Sequence, residues 1–147
     1  MVKQGLPVTK SAMRYLAIDY GTKRTGLAIC DRDETITSPL AVMEGRKELL
    51  KKIVDVVETE NVEAVVLGLP LNMDNSEGFQ AKRVLQFAEQ LKKLLEVPIH
   101  FQDERLSTFS AEEKLAPAEL TRKKKKKRLD AVAAAAILEA FLEQKNT

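Results

Sequence analysis

Apolar residues recur along this chain in two rhythms, and the changes between them mark out its elements. Tyr15–Tyr20 (YLAIDY) and Thr25–Cys30 (TGLAIC) predict two strands, and the GTKR between them is too short for anything but an antiparallel hairpin. A third strand is expected around Thr37–Met43, where Pro39 favours an edge or an irregular start. From Gly45 to Glu60 the period lengthens, with Leu49, Leu50, Ile53, Val54 and Val57 at helical spacing. Val62–Leu69 (VEAVVLGL) is nearly unbroken in its apolarity, as in a central strand covered on both faces, and Gly68-Leu69-Pro70 ends it. After LNMDNSEG, the segment Phe79–Glu96 places Val84, Leu85, Ala88, Leu91 and Leu95 on one stripe and predicts a second helix. Val97–Gln102 is the next strand. Ser107, Thr108 and Ser110 are N-cap candidates, and Ser110 with Glu113 fits a capping box for a helix beginning there. A basic block leads into a closing helix that Asp130 begins, with Leu129, Val132, Ala133, Ala136, Ile137, Ala140 and Phe141 as its apolar stripe.

The order is thus three strands, then helix, strand, helix, strand, helix, helix. A doubly wound nucleotide fold requires a helix between its first two strands, and four residues cannot supply one. The order matches an α/β ribonuclease H-like fold: a mixed five-stranded sheet, its first strands antiparallel, with helices on both faces. A chain of 147 residues is long enough for a real core in one domain, expected over residues 13–147. Residues 1–12 show no such pattern and read as a flexible leader, an upstream start or a cloning remnant.

Composition narrows the setting. The single Cys30 excludes an internal disulfide framework, and with His100 as the only histidine no Cys/His zinc cluster can be assembled from one chain. That cysteine usage suits a reducing, cytoplasmic setting, and since no apolar run reaches the roughly 20 residues needed to span a bilayer, a soluble protein is expected. The net charge of +2 conceals an asymmetry: Arg122–Arg128 (RKKKKKR) carries seven positive charges, which leaves −5 for the rest. One concentrated basic segment on an acidic body suits a polyanionic partner touching a defined place, with Lys124, Lys125, Lys127 and Arg128 as contact candidates. A solvated basic loop without a specific partner is the plainer alternative.

The candidate chemistry is acidic. Asp19 lies at the carboxyl end of the first strand, on the face shared by Tyr15 and Ala17. In open α/β sheets the functional crevice lies outside those ends. Asp103 and Glu104 close a strand expected to run parallel to the first. Because successive side chains alternate, one of the two faces Asp19 more readily; Glu104 is the first choice and Asp103 the second. Asp130 is followed by small residues, Ala131 and Ala133–Ala136, that let a helix backbone approach the sheet. Three carboxylates in one cleft repel one another unless a cation neutralises them. Hard oxygen donors without His or Cys select Mg²⁺ or Mn²⁺, and two such ions can promote phosphodiester hydrolysis. Each residue also has a plain alternative: Asp130 complementing a helix dipole, Asp19 closing a turn before Gly21, Asp103 and Glu104 ending a solvated strand.

Four stretches together resemble a known family. DYGTKRTGLA (Asp19–Ala28), GLPLNMDNSEG (Gly68–Gly78), DERLST (Asp103–Thr108) and the basic block running into LDAVAAAAIL (Leu129–Leu138) look like the motifs of the YqgF family. These are ribonuclease H-fold proteins related to bacterial Holliday-junction resolvases and regarded as nucleases of the 5′ end of pre-16S ribosomal RNA. The likeness spans Met13 to about Glu143. It implies metal-dependent phosphodiester hydrolysis with Asp19, Glu104 and Asp130 as the acidic set. There are two departures. The resolvases carry an acid at the end of the fourth strand, where this chain has Gly68, and Asn75 stands where the family commonly has glycine, a position Asn tolerates in a left-handed conformation.

The remaining polar residues suit a nucleic-acid cleft. Lys23 and Arg24 in the hairpin turn and Arg105 after the carboxylates are phosphate-contact candidates, Arg105 being equally an ion-pair partner for Asp103 or Glu104. Asn72 and Asp74 could bond substrate or close their own loop through Asx turns, the latter favoured for Asp74. With few aromatics and no Trp, phosphate contacts should dominate and binding should weaken steeply with salt. The expected function is a nuclease acting on structured RNA, the small-subunit rRNA precursor foremost, by a monomer or weak homodimer. The alternatives are a resolvase of branched DNA, which needs a symmetric dimer, and a non-catalytic RNA-binding factor of ribosome assembly or transcription.

Overall fold

The computed structural model describes residues 13–72, 74, 76–106 and 122–146. Its strands are β1 (Tyr15–Tyr20), β2 (Arg24–Cys30), β3 (Thr37–Glu44), β4 (Ala64–Leu69) and β5 (Ile99–Asp103). The helices are α1 (Leu49–Thr59), α2 (Phe79–Lys92) and α3 (Arg122–Lys145), and a single 3₁₀ turn, Glu104–Leu106, follows β5. One five-stranded sheet runs in the order β3-β2-β1-β4-β5. β1 pairs antiparallel with β2, and β2 with β3, while β1–β4 and β4–β5 are parallel. The ribonuclease H-like element order is therefore present.

Pleating sends alternate residues of the central strands into two cores. Leu16, Ile18, Leu27, Val65 and Leu67 pack under α1 and α2, which contribute Leu49, Ile53 and Val57, and Val84, Phe87 and Leu91. Each such aliphatic, once buried, contributes roughly 1.5–3 kcal/mol relative to exposure. Tyr15, Ala17, Ala28, Cys30, Ala64 and Val66 face the other way, onto Ala134, Ala135, Ile137, Leu138 and Leu142 of α3. The two faces thus carry different helices, and Asp19 belongs to the α3 side.

Several boundaries differ from the sequence expectation. α1 starts at Leu49, after a left-handed Gly45 (φ 74°) and Glu48 (φ 59°) that no helix continues through. α2 ends at Lys92, before Glu96. α3 takes in the whole basic block, so Asp130 is the ninth helical residue and does not begin the helix. Lysine and arginine are good helix formers, and a run of them does not stop a helix. The buried side of α3 is also wider than a stripe: Ala131, Ala134, Ala135 and Leu138 are buried, while Ala133 and Ala140 are only half-buried. The expected helix capped by Ser110 and Glu113, the leader, Asn75 and the side chains of Lys124, Lys125, Lys127 and Arg128 lie outside the described residues. Among the described residues no helix is long and apolar enough to cross a membrane.

Candidate active site

Two glycines bring the acidic residues to one end of the sheet. Asp19 pairs in register with Gly26 on β2. A Cβ at Gly26 would fall on the Asp130 carbonyl group and lie 3.0 Å from the Ala131 amide nitrogen. A bare glycine here lets the α3 backbone rest on β2 beside Asp19, which carries Asp130 to that point. The second glycine is Gly68 on β4, whose register partner is Gln102 on β5. A Cβ there would stand 2.7 Å from Glu104 Oε2 and 2.6 Å from Ile137 Cδ1. Glu104 therefore lies across Gly68, on the α3 face, toward Asp19.

Asp103 goes elsewhere. Arg105 Nε donates to both of its carboxylate oxygens at 3.0 Å and Nη2 to Oδ2 at 2.6 Å, while the Arg105 amide bonds Oδ1 at 2.9 Å. Charge-assisted bonds of this kind favour the anion, and the Arg105 side chain holds the Asp103 carboxyl below its usual range. The same guanidinium donates from Nη1 to the Asn72 carbonyl at 2.9 Å. Within that loop the Asn72 side-chain amide donates to Ser76 Oγ at 3.0 Å. The Ser76 amide and hydroxyl donate to Asp74 Oδ1 at 3.0 and 2.6 Å, which also lowers the Asp74 pKa. Asp74 closes its own loop, and Arg105 straps that loop to the end of β5.

The electrostatics of the other carboxylates run in the opposite direction. Burial first, and then the charge of Asp130, raise the Asp19 pKa to about 6. Glu104 is pushed to about 8, by burial first and then by Asp19 and Asp103. Two desolvated carboxylates, Asp19 raised further by Asp130 and Glu104 by Asp19, belong to a hard oxygen donor set short of positive charge. Asp130 is compensated already: Arg24 Nε donates to its Oδ2 at 2.6 Å. Arg24, expected to meet phosphate, is thus an ion-pair partner of the site. Among the described residues no three His, Cys, Asp or Glu side chains stand ready to hold a metal ion. Glu104 thus feels the charge of Asp19, and Asp19 that of Asp130, one of whose carboxylate oxygens is turned to Arg24.

Lys23 is exposed at the hairpin tip, and Asn72 is exposed in its loop. Two site features were not anticipated from sequence. Gly26 carries no local sign of its role, which depends on a helix 104 residues further on. Gln102 shares the Gly68 register and is buried, and its Nε2 has no hydrogen-bond partner among the described residues.

Comparison with known proteins bears out the resemblance carried by the four motifs. A family model described as RuvX, Holliday junction resolvase, matches residues 13–144. A protein of Maridesulfovibrio salexigens named "Putative pre-16S rRNA nuclease" is 42% identical over 132 residues, 88% of this chain and 98% of its own length. One of the same name from Rhodopirellula baltica is 39% identical over 143 residues, covering 96% of this chain and 81% of that protein. Among solved structures, Thermus thermophilus RuvC in complex with Holliday junction substrate superposes with a TM-score of 0.58 at 16% identity, over 92% of this chain and 97% of that one. That likeness establishes the ribonuclease H-like fold.

Proposed function

The chain belongs to the RuvX Holliday junction resolvase family, and on that premise we propose that it is a divalent-metal-dependent nuclease that hydrolyses phosphodiester bonds of precursor 16S rRNA. The observation that carries this function is the set of carboxylates gathered at the carboxyl end of the parallel strands, with the buried Asp19 raised by Asp130 and the desolvated Glu104 raised by Asp19. The family relatives named for pre-16S rRNA support RNA as the substrate. Ribosomal RNA processing would place the protein in the cytoplasm.

The donor chemistry fits Mg²⁺ or Mn²⁺. Asp19 and Glu104 would hold the ion, joined by Asp130 when Arg24 leaves it. A bound divalent ion supplies charge that neutralises the carboxylates and stabilises charge developing on the phosphate. Arg24 already sits at the acidic cleft, so an incoming phosphate offers its guanidinium a second anion and releases the Asp130 carboxylate. Lys23, one residue away and exposed, adds a second cation at the cleft entrance. Arg105 acts by position, holding Asp103 out of the cleft and the Asn72 loop in place.

A DNA resolvase is the second reading, favoured by the family description and by the fold likeness to RuvC. It has to accommodate Gly68 where resolvases carry an acid. The discriminating experiment offers the protein a pre-16S 5′-leader RNA and a four-way DNA junction, each with Mn²⁺ or EDTA. Metal-dependent cleavage of the RNA in preference to the junction is expected. Preferential cutting of the junction would favour the second reading, and tight RNA binding without cleavage would favour a non-catalytic role.

A further inference from the structure

On the opposite face of the sheet from the acidic site, the junction of α1 and α2 encloses a cavity of about 230 Å³. Tyr20, Arg46, Arg83, Gln86, Phe87 and Gln90 line it, with Leu49 and Leu50 as its apolar floor. No carboxylate is among the lining residues, although the chain outside the basic block is net acidic. Arg46 lies 5.6 Å over the Tyr20 ring, which stacks on Phe87 at 4.1 Å. Arg83 lies 5.6 Å over Phe79, a ring 77% exposed at the start of α2. Among the described residues neither guanidinium pairs with a carboxylate, so both keep their donors for an outside anion.

The cavity opens at the same end of the sheet as the carboxylates. Tyr20 follows Asp19 directly, and Gln80 Nε2 holds its carbonyl at 3.2 Å. The Gly45 amide donates to the Lys23 carbonyl at 2.8 Å, which ties the segment carrying Arg46 to the hairpin that carries Lys23 and Arg24. Cations therefore continue from the cleft, over the carboxyl edge of β1, to the second face.

We propose that this cavity is a second phosphate-binding site for the nucleic-acid substrate, in which Arg46 and Arg83 hold backbone phosphates of the single strand flanking the cleavage point, while Phe79, outside the cavity but against Arg83, stacks one of its bases. Planar guanidiniums suit phosphate oxygens, and an exposed ring stacks on any base, independent of sequence. The proposal rests on the nuclease reading above, and it adds an aromatic platform that the sparse aromatic content of the chain did not suggest.

The test measures binding of a labelled pre-16S leader RNA in EDTA at several salt concentrations, so that its outcome does not depend on cleavage. Arg46→Gln with Arg83→Gln should weaken binding by about tenfold or more. The log–log salt slope should become shallower by about 1.4, two phosphates at roughly 0.7 each for a single strand. Phe79→Ala should weaken binding several-fold without changing that slope. Arg32→Gln, an exposed arginine in the β2–β3 connection, serves as the comparator for a general loss of charge. Unchanged affinity and slope in the double variant, or an equal loss from Arg32→Gln, would overturn the proposal. Absence of metal-dependent cleavage by the unaltered protein would instead count against the nuclease reading.

Discussion

Glu104 occupies the space above Gly68: its Cγ and Oε2 come within 2.9 and 2.7 Å of where a Cβ on Gly68 would stand. The missing side chain on β4 and the carboxylate reaching over from the end of β5 are two parts of one arrangement. We propose that in it Glu104 stands in for the acid that the resemblance to resolvases places on the fourth strand.

Gly68→Ala should therefore displace Glu104. The expected cost is about 1–3 kcal/mol of stability, typical of overpacking a filled site, together with a large loss of nuclease activity. Because the clash is with Glu104, and also with Ile137 Cδ1, adding Glu104→Ala should recover part of the stability and none of the activity. Chemical denaturation of the single and double variants measures that coupling, and strict additivity would show that Glu104 is not over Gly68.

Stability should also depend on pH in an unusual direction. Burial, and then neighbouring charge, lift Asp19 to about 6 and Glu104 to about 8. Between an ordinary carboxylate value near 4 and those values, the folded protein retains protons that the unfolded chain has released. Stability from these groups is thus present at low pH and is lost as pH rises through the window, by at most about 1.4 kcal/mol per pH unit for each group. The Tm of the metal-free protein should fall between about pH 5 and pH 8, and Glu104→Gln should flatten the fall. Mn²⁺ should raise Tm more at the upper end of that range. A flat profile, or one unaffected by Glu104→Gln, would contradict the raised values of these two carboxylates.

Arg24→Gln separates the electrostatic role of the Arg24–Asp130 pair from a structural one. Both side chains are between a quarter and a third exposed, and such pairs are worth about 0–1 kcal/mol, so Tm should change little. Removing the cation that competes for Asp130 should tighten Mn²⁺ binding by up to about fivefold, the equivalent of 1 kcal/mol, while RNA binding weakens. Calorimetric titration with Mn²⁺ reads the first effect, and unchanged or weaker metal affinity would show that Asp130 is not available to the ion.

Much of this was legible in the residues. The runs at Tyr15–Tyr20, Thr25–Cys30 and Val62–Leu69 gave the central strands, because a strand buried on both faces has little freedom in composition. Asp19 could be placed because it shares a face with Tyr15 and Ala17. The extent of α3 could not be read in this way: a charged run has no apolar period, and Lys and Arg continue a helix as readily as they solvate a loop. Asp103 and Glu104 were ambiguous because the alternation of a strand loses its meaning where the chain turns into 3₁₀ geometry. What decides between them is the fork from Arg105 to Asp103 and the vacancy over Gly68. The Arg24–Asp130 pair and the seat of α3 on Gly26 join residues more than a hundred positions apart, and no local pattern encodes them.

The central claim is that Asp19 and Glu104, and not Asp103, form the working carboxylate pair. Single-turnover cleavage of a pre-16S 5′-leader RNA in Mn²⁺ tests it most directly, comparing the unaltered protein with Asp19→Asn, Glu104→Gln and Asp103→Asn. The expected result is a loss of about a thousandfold or more, roughly 4 kcal/mol of barrier, for Asp19→Asn and Glu104→Gln, with Asp103→Asn within about tenfold of the unaltered protein. Full activity in Glu104→Gln beside an inactive Asp103→Asn would contradict it.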